Sequence, residues 1–140
     1  QSLVKTGFQE ITARMRRLAL SARINVPGKN DQIFRSNLAA SLGKHGFTVT
    51  EEEPTIEILG ELSTSESGFV MSNFVYYAEG SISAIRQQDG QIIATVPFKA
   101  KGFHQTKQQA ALNAIAEAGT EAGENLAKIL LEKEQGDKDH

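Results

Sequence analysis

Between positions 18 and 26 apolar and polar residues alternate. Leu18, Leu20, Ala22, Ile24 and Val26 are separated by Ala19, Ser21, Arg23 and Asn25, the two-residue period of a strand with one buried face. Pro27-Gly28 ends it. Upstream the period is helical: Leu3, Val4, Phe8, Ile11 and Met15 recur at three and four, and Arg14, Arg16 and Arg17 fall at the end where a helix dipole favours cations. Downstream, Ile33, Phe34, Leu38 and Leu42 share one face of a second predicted helix. Asn30 or Asp31 can cap its start, and Gly43 or Gly46 can stop it. Residues 47–50 then restart an extended segment, so the first half reads strand, helix, strand.

After the acidic triplet 51–53 and Pro54, residues 55–62 alternate again through Ile56, Ile58, Gly60 and Leu62. The polar run 63–68 is expected to be a loop or flexible hairpin tip. Along 69–86, Phe74, Tyr76, Ala78, Gly80, Ile82 and Ala84 fall on one side of a strand, leaving Val75 and Tyr77 on the other. Together with Phe69 these two form the candidate partner surface, either open or covered by the N-terminal helix. Asp89-Gly90 predicts a hairpin turn with Gly90 at positive φ. Ile92, Ala94, Val96, Phe98 and Ala100 make the return strand, in which Pro97 points to an edge or a bulge. Thr106 can cap the last helix, with Gln109 as second member of a capping box. That helix presents Ala111, Ile115, Ala118, Ala122, Leu126 and Ile129 as its apolar face, with Ala118 at the centre of a close contact with the sheet.

These elements predict an α+β fold, a mixed and mostly antiparallel sheet covered by two or three helices. At 140 residues one domain is expected, spanning 1–133, with an N-terminal helix over 1–17, a core over 18–131 and a flexible tail over 134–140. Fifteen Lys and Arg against 17 Asp and Glu give a net charge of −2, which suggests neither nucleic acid nor an anionic membrane, and no nucleic-acid partner is expected. The chain has no cysteine, so disulfides, thiolate metal sites and Cys nucleophiles are excluded. No apolar run approaches the roughly 18 residues a membrane helix needs. The first residue is Gln1 rather than Met, so a processed form is expected, which leaves room for membrane proximity through a removed anchor.

The chemistry-bearing residues form no constellation. In VPGKND the positions that a phosphate loop needs as Gly and Ser/Thr are Arg23 and Asn30. His45, His104 and His140 are isolated, and Ser81 and Ser83 sit in strand alternation rather than in a nucleophile elbow. Glu51, Glu52 and Glu53 alternate faces on an extended segment and cannot converge on one ion. We therefore expect no catalytic, cofactor-binding or metal-binding residues, no cofactor, and not an enzyme. The alternative is a double-stranded-RNA-binding module, which GFHQTKQQAALNAI resembles at the glycine, the helix start and the alanines. Such modules cluster basic residues at that helix start, where Lys107 here stands alone before Gln108 and Gln109.

PTIEILGEL (54–62), YYAEGSISAIRQQDGQIIATVPFKAKG (76–102) and QQAALNAIAEAGTEAGENLAKIL (108–130) together resemble envelope domains of the flagellar assembly protein T and curli assembly lipoprotein type. The likeness spans about 18–131 and rests on alternation, one turn and one helix. The resemblance implies a noncatalytic assembly or oligomerisation module of the bacterial envelope, periplasmic or outer-membrane-associated, with a protein partner or self-association. This sequence departs from that group in lacking a lipid-acceptor Cys at its start, which puts membrane anchoring in doubt.

Overall fold

The computed structural model describes residues 21–25, 31–49 and 54–138. The predicted N-terminal helix lies outside them. The order is β1 (Ser21–Asn25), α1 (Asp31–Lys44), β2 (Thr48–Val49), β3 (Ile56–Val70), β4 (Asn73–Arg86), β5 (Ile92–His104) and α2 (Lys107–Lys138). The strands form one sheet in the order β2-β1-β3-β4-β5. The pairs of β1 with β2 and with β3 are parallel and short; those of β4 with β3 and β5 are antiparallel and long. The expected α+β class with a mixed sheet is what the chain adopts.

Helix α1 stops by a physical device visible in its sequence. Gly46 has φ 88°, its N–H donates to the Gly43 carbonyl, and the Phe47 N–H reaches back to the Leu42 carbonyl. This pair of bonds is a Schellman motif, and buried Phe47 and Leu42 supply its customary apolar contact. Gly43 stays inside the helix. At the other turn read from sequence, Gly90 has φ 69° and its N–H donates to the Arg86 carbonyl at 2.8 Å, closing the β4–β5 hairpin.

The run 63–68 is strand, not loop. Ser63, Ser65 and Glu66 pair with Glu79, Tyr77 and Tyr76 across β4, and the reversal comes later, at Met71 and Ser72, with φ of 52° and 66°. Two consecutive positive φ values make this a type I′ two-residue hairpin. The polarity of 63–67 arises because these side chains are exposed. Among the described residues β1 pairs only with 56–59 of β3, so beyond Leu59 their sheet narrows to a three-stranded arm.

One core joins the sheet to both described helices. Ile56, Ile58, Ala78, Ile82, Ala84, Val96, Phe98 and Ala100 face Phe34, Leu38 and Leu42 of α1 and Ala114, Ala118, Ala122 and Leu126 of α2. Ala118 is fully buried, whereas Ala111 is half-buried and Ala110 takes the inner position. The inward face of α2 is wider than the predicted stripe because α1 also lies against it. A Cβ on Gly119 would stand 2.6 Å from the Phe34 carbonyl oxygen, and one on Gly123 would stand 2.6 Å from the Ser41 Cβ. Small residues four apart let the two backbones approach closely. Buried Ser41 donates to the Thr120 carbonyl at 3.0 Å, so this seam carries a satisfied polar group. Helix α2 continues to Lys138, past the expected end at Lys133.

Thr106 caps α2 as expected: its Oγ1 accepts from the Gln109 N–H at 3.3 Å. The Gln109 side chain does not complete the box and instead donates to Asn113 Oδ1 at 2.9 Å. Asn113 in turn donates to the Phe103 carbonyl at 3.1 Å, tying the helix to the end of β5.

Candidate functional site: the open sheet face and its distal end

Both described helices pack on one face of the sheet, so the register assigns the other face residue by residue. Along β4 the open face carries Val75, Tyr77, Glu79, Ser81 and Ser83, opposite Phe103, Lys101, Lys99, Pro97 and Thr95 of β5. Leu59 lies beside Ser83 on the same face and is 37% exposed. Ser83 and Thr95 hydroxyls meet at 3.2 Å. The surface is mixed, with a polar centre and apolar residues toward its ends.

Tyr77 occupies the middle of this face between two cations. The Lys99 and Lys101 ammonium groups lie 4.6 Å and 5.4 Å from its ring centroid, within cation–π range. Its phenol is held below the ordinary tyrosine value, first by the hydrogen bond from Lys101; partial desolvation opposes this, and Ser67 and the two ammonium charges add to it. In a Tyr76→Phe background, where Tyr77 is the remaining tyrosine of two, the phenol should titrate below the usual value of about 10. Lys101→Met should move it back up. A depressed folded-state value adds stability that is complete above the unfolded pKa and is lost as pH falls through the folded one, so the effect belongs to alkaline solution. Phenolate absorbance against pH checks this, and identical curves for the two proteins would remove Lys101 as the cause.

The three residues expected to form one partner surface are divided by the structure. Tyr77 is on the open face and accessible. Val75 is on the same face but only 6% exposed, too enclosed to offer contact area. Phe69 is 61% exposed but pairs with Phe74 on the helix-side face, their centroids 4.8 Å apart. The cause is the two-residue reversal at Met71 and Ser72: Val70 pairs with Asn73 and Phe69 with Phe74, so Phe69 and Val75 fall on opposite faces although one continuous strand would place them together.

Residues at the distal end of the arm escaped the sequence reading. Met71 is 89% exposed, Val70 57% and Phe103 54%. Lys107 sits 5.4 Å from the Phe74 centroid and 3.5 Å from Glu66, so the lysine weighed for phosphate binding is engaged by this arm. His104 Nδ1 accepts from the Thr106 N–H at 3.2 Å. Among the described residues no group of three or more His, Asp or Glu could hold a metal ion, and no helix is long and apolar enough to cross a membrane.

This sheet, with both described helices on one face, is a fold shared with solved structures of bacterial lipoproteins. A protein assigned as a lipoprotein from Caulobacter crescentus CB15 superposes with a TM-score of 0.58 at 15% identity, covering 89% of this chain and 98% of its own. A dodecameric PelC from Paraburkholderia phytofirmans gives 0.56 at 11% identity, covering 79% and 88%. A homologue of a neuraminyllactose-binding hemagglutinin from Helicobacter pylori gives 0.54 at 12%, covering 86% and 89%. At these identities the likeness is one of fold. No protein-family profile and no curated protein sequence matches the chain.

Proposed function

We propose that this protein is a noncatalytic binding or assembly module of the bacterial cell envelope, working through protein–protein contacts on its open sheet face. The carrying observation is that face itself: long paired strands, with Leu59 and Tyr77 presented opposite the helices. The shared fold of bacterial lipoproteins supports the envelope setting, and the resemblance to flagellar-assembly and curli-assembly domains belongs to this same proposal. The β5 edge is a poorer docking site than the face, because that strand bears Pro97, Lys99 and Lys101, which oppose addition of a further strand.

Photo-crosslinking in cells that express the protein natively tests this. A crosslinker at Tyr77 or Leu59 should trap a discrete envelope protein or a second copy, whereas one at exposed Glu117 on α2 should trap neither. Equal, diffuse labelling from both sides would overturn the assignment of the open face.

A further inference from the structure

The distal end of the arm breaks two rules at once. Four large apolar side chains, Phe69, Val70, Met71 and Phe103, are each more than half exposed there. The most exposed of them, Met71, occupies a left-handed turn position where Asn or Gly would be the stabilising choice. Local stability does not explain a methionine at that place. Such conflicts are expected where a segment serves a function rather than the fold.

We propose that this end is a wedge that enters an anionic lipid surface. Phe69, Val70 and Met71 penetrate the boundary of headgroups and acyl chains, with Phe103 at its level. The shape favours lipid over a protein partner. Phe69 pairs with Phe74 on one face of the arm, while Val70 pairs with Asn73 on the other and Met71 forms the tip. A docking protein would cover one face, whereas a fluid apolar medium surrounds a tip on all sides.

The charges behind the tip complement phosphate. Lys101 lies two residues from Phe103, about 7 Å along the strand, and Lys99 about 13 Å. Lys107 stands over Phe74 on the opposite face. Long lysine stems can keep their ammonium groups at headgroup level while the tip is buried. Two carboxylates share the region: Glu66, paired with Lys107, and Glu79, opposite Lys99 in register. A depth of about 5–10 Å, ordinary for interfacial apolar segments, takes in the turn and stops short of the lysines. The wedge does not depend on the envelope assignment, because it rests on the arm alone.

The test is flotation of the full chain with phosphatidylcholine vesicles, with and without phosphatidylglycerol. The parent should bind the anionic vesicles and be released by salt. Met71→Asn combined with Ser72→Gly should weaken binding about tenfold or more while raising the thermal midpoint, a pairing of effects that no folding defect produces. Lys101→Gln and Lys107→Gln should each weaken binding about fivefold on anionic vesicles alone. Ile92→Ser, removing a residue 59% exposed at the opposite end of β5, should bind as the parent does. Failure of the parent to bind anionic vesicles, or undiminished binding by the turn variant, would overturn the proposal. So would light scattering that shows a dimer of the parent dissolved by the turn variant, which would make the occupant a second copy.

Discussion

Gly102→Val is expected to cost about 4 kcal/mol or more, read as a drop in the urea midpoint at unchanged slope. Gly102 is buried on the helix-side face of β5, where the first turns of α2 lie directly on the strand. A Cβ there would collide with the carbonyl oxygen of Ala110 and with the backbone N and Cα of Ala114. Those atoms belong to a hydrogen-bonded helix pinned by the Thr106 cap and by Asn113, so no side chain can swing aside. The whole helix must lift, opening the alanine contact behind it. Gly43→Ala is the matched control: it lies inside α1, its Cβ would meet nothing within 4 Å, and it should stabilise by about 0.4–1 kcal/mol. A Gly102→Val midpoint indistinguishable from the parent would mean that α2 does not rest on β5 as described.

That glycine shows where sequence reading stops. The C-terminal device of α1, the Thr106 cap and the alternation of β4 and β5 are local: each needs only residues a few positions apart, and each was legible. The close approaches at Gly102, Gly119 and Gly123 depend on which distant backbone arrives opposite them, and no residue nearby announces it. Likewise Ser, Thr and Glu through 63–67 satisfy both a loop and a strand exposed to water. Only the pairing with β4 decides, and the turn that would have marked the true reversal carries Met-Ser where a signal such as Asn-Gly is the readable one. The division of the partner-surface set has a related reason. A period of two along 69–86 placed Phe69 with Val75 and Tyr77, and the hairpin reversal at Met71 and Ser72 separated them. The exposed end formed by Val70, Met71 and Phe103 could have been suspected from FVM standing beside a polar run, but strand order was needed to bring Phe103 to it.

Phe34→Ala is expected to destabilise the fold by about 3–5 kcal/mol, a large share of the roughly 5–15 kcal/mol that holds a domain together. Phe34 is fully buried, and its ring meets that of Phe98 at 5.1 Å with a 35° tilt. Room for Phe98 exists because its neighbour in register on β4 is Gly80, where a Cβ would stand 3.0 Å from the Phe98 Cζ. On the other side, Gly119 of α2 comes up against the Phe34 carbonyl. The ring therefore fills the point where α1, α2 and the sheet converge, and close-packed backbone on two sides limits collapse into the vacancy. Phe69→Ala removes the same ring from a site 61% exposed and should cost no more than about 1 kcal/mol, the share carried by its contact with Phe74. Chemical denaturation of the two variants side by side measures the difference. Equal losses would mean that Phe69 is enclosed in solution, and the distal end would then be an already occupied surface rather than one kept free for lipid.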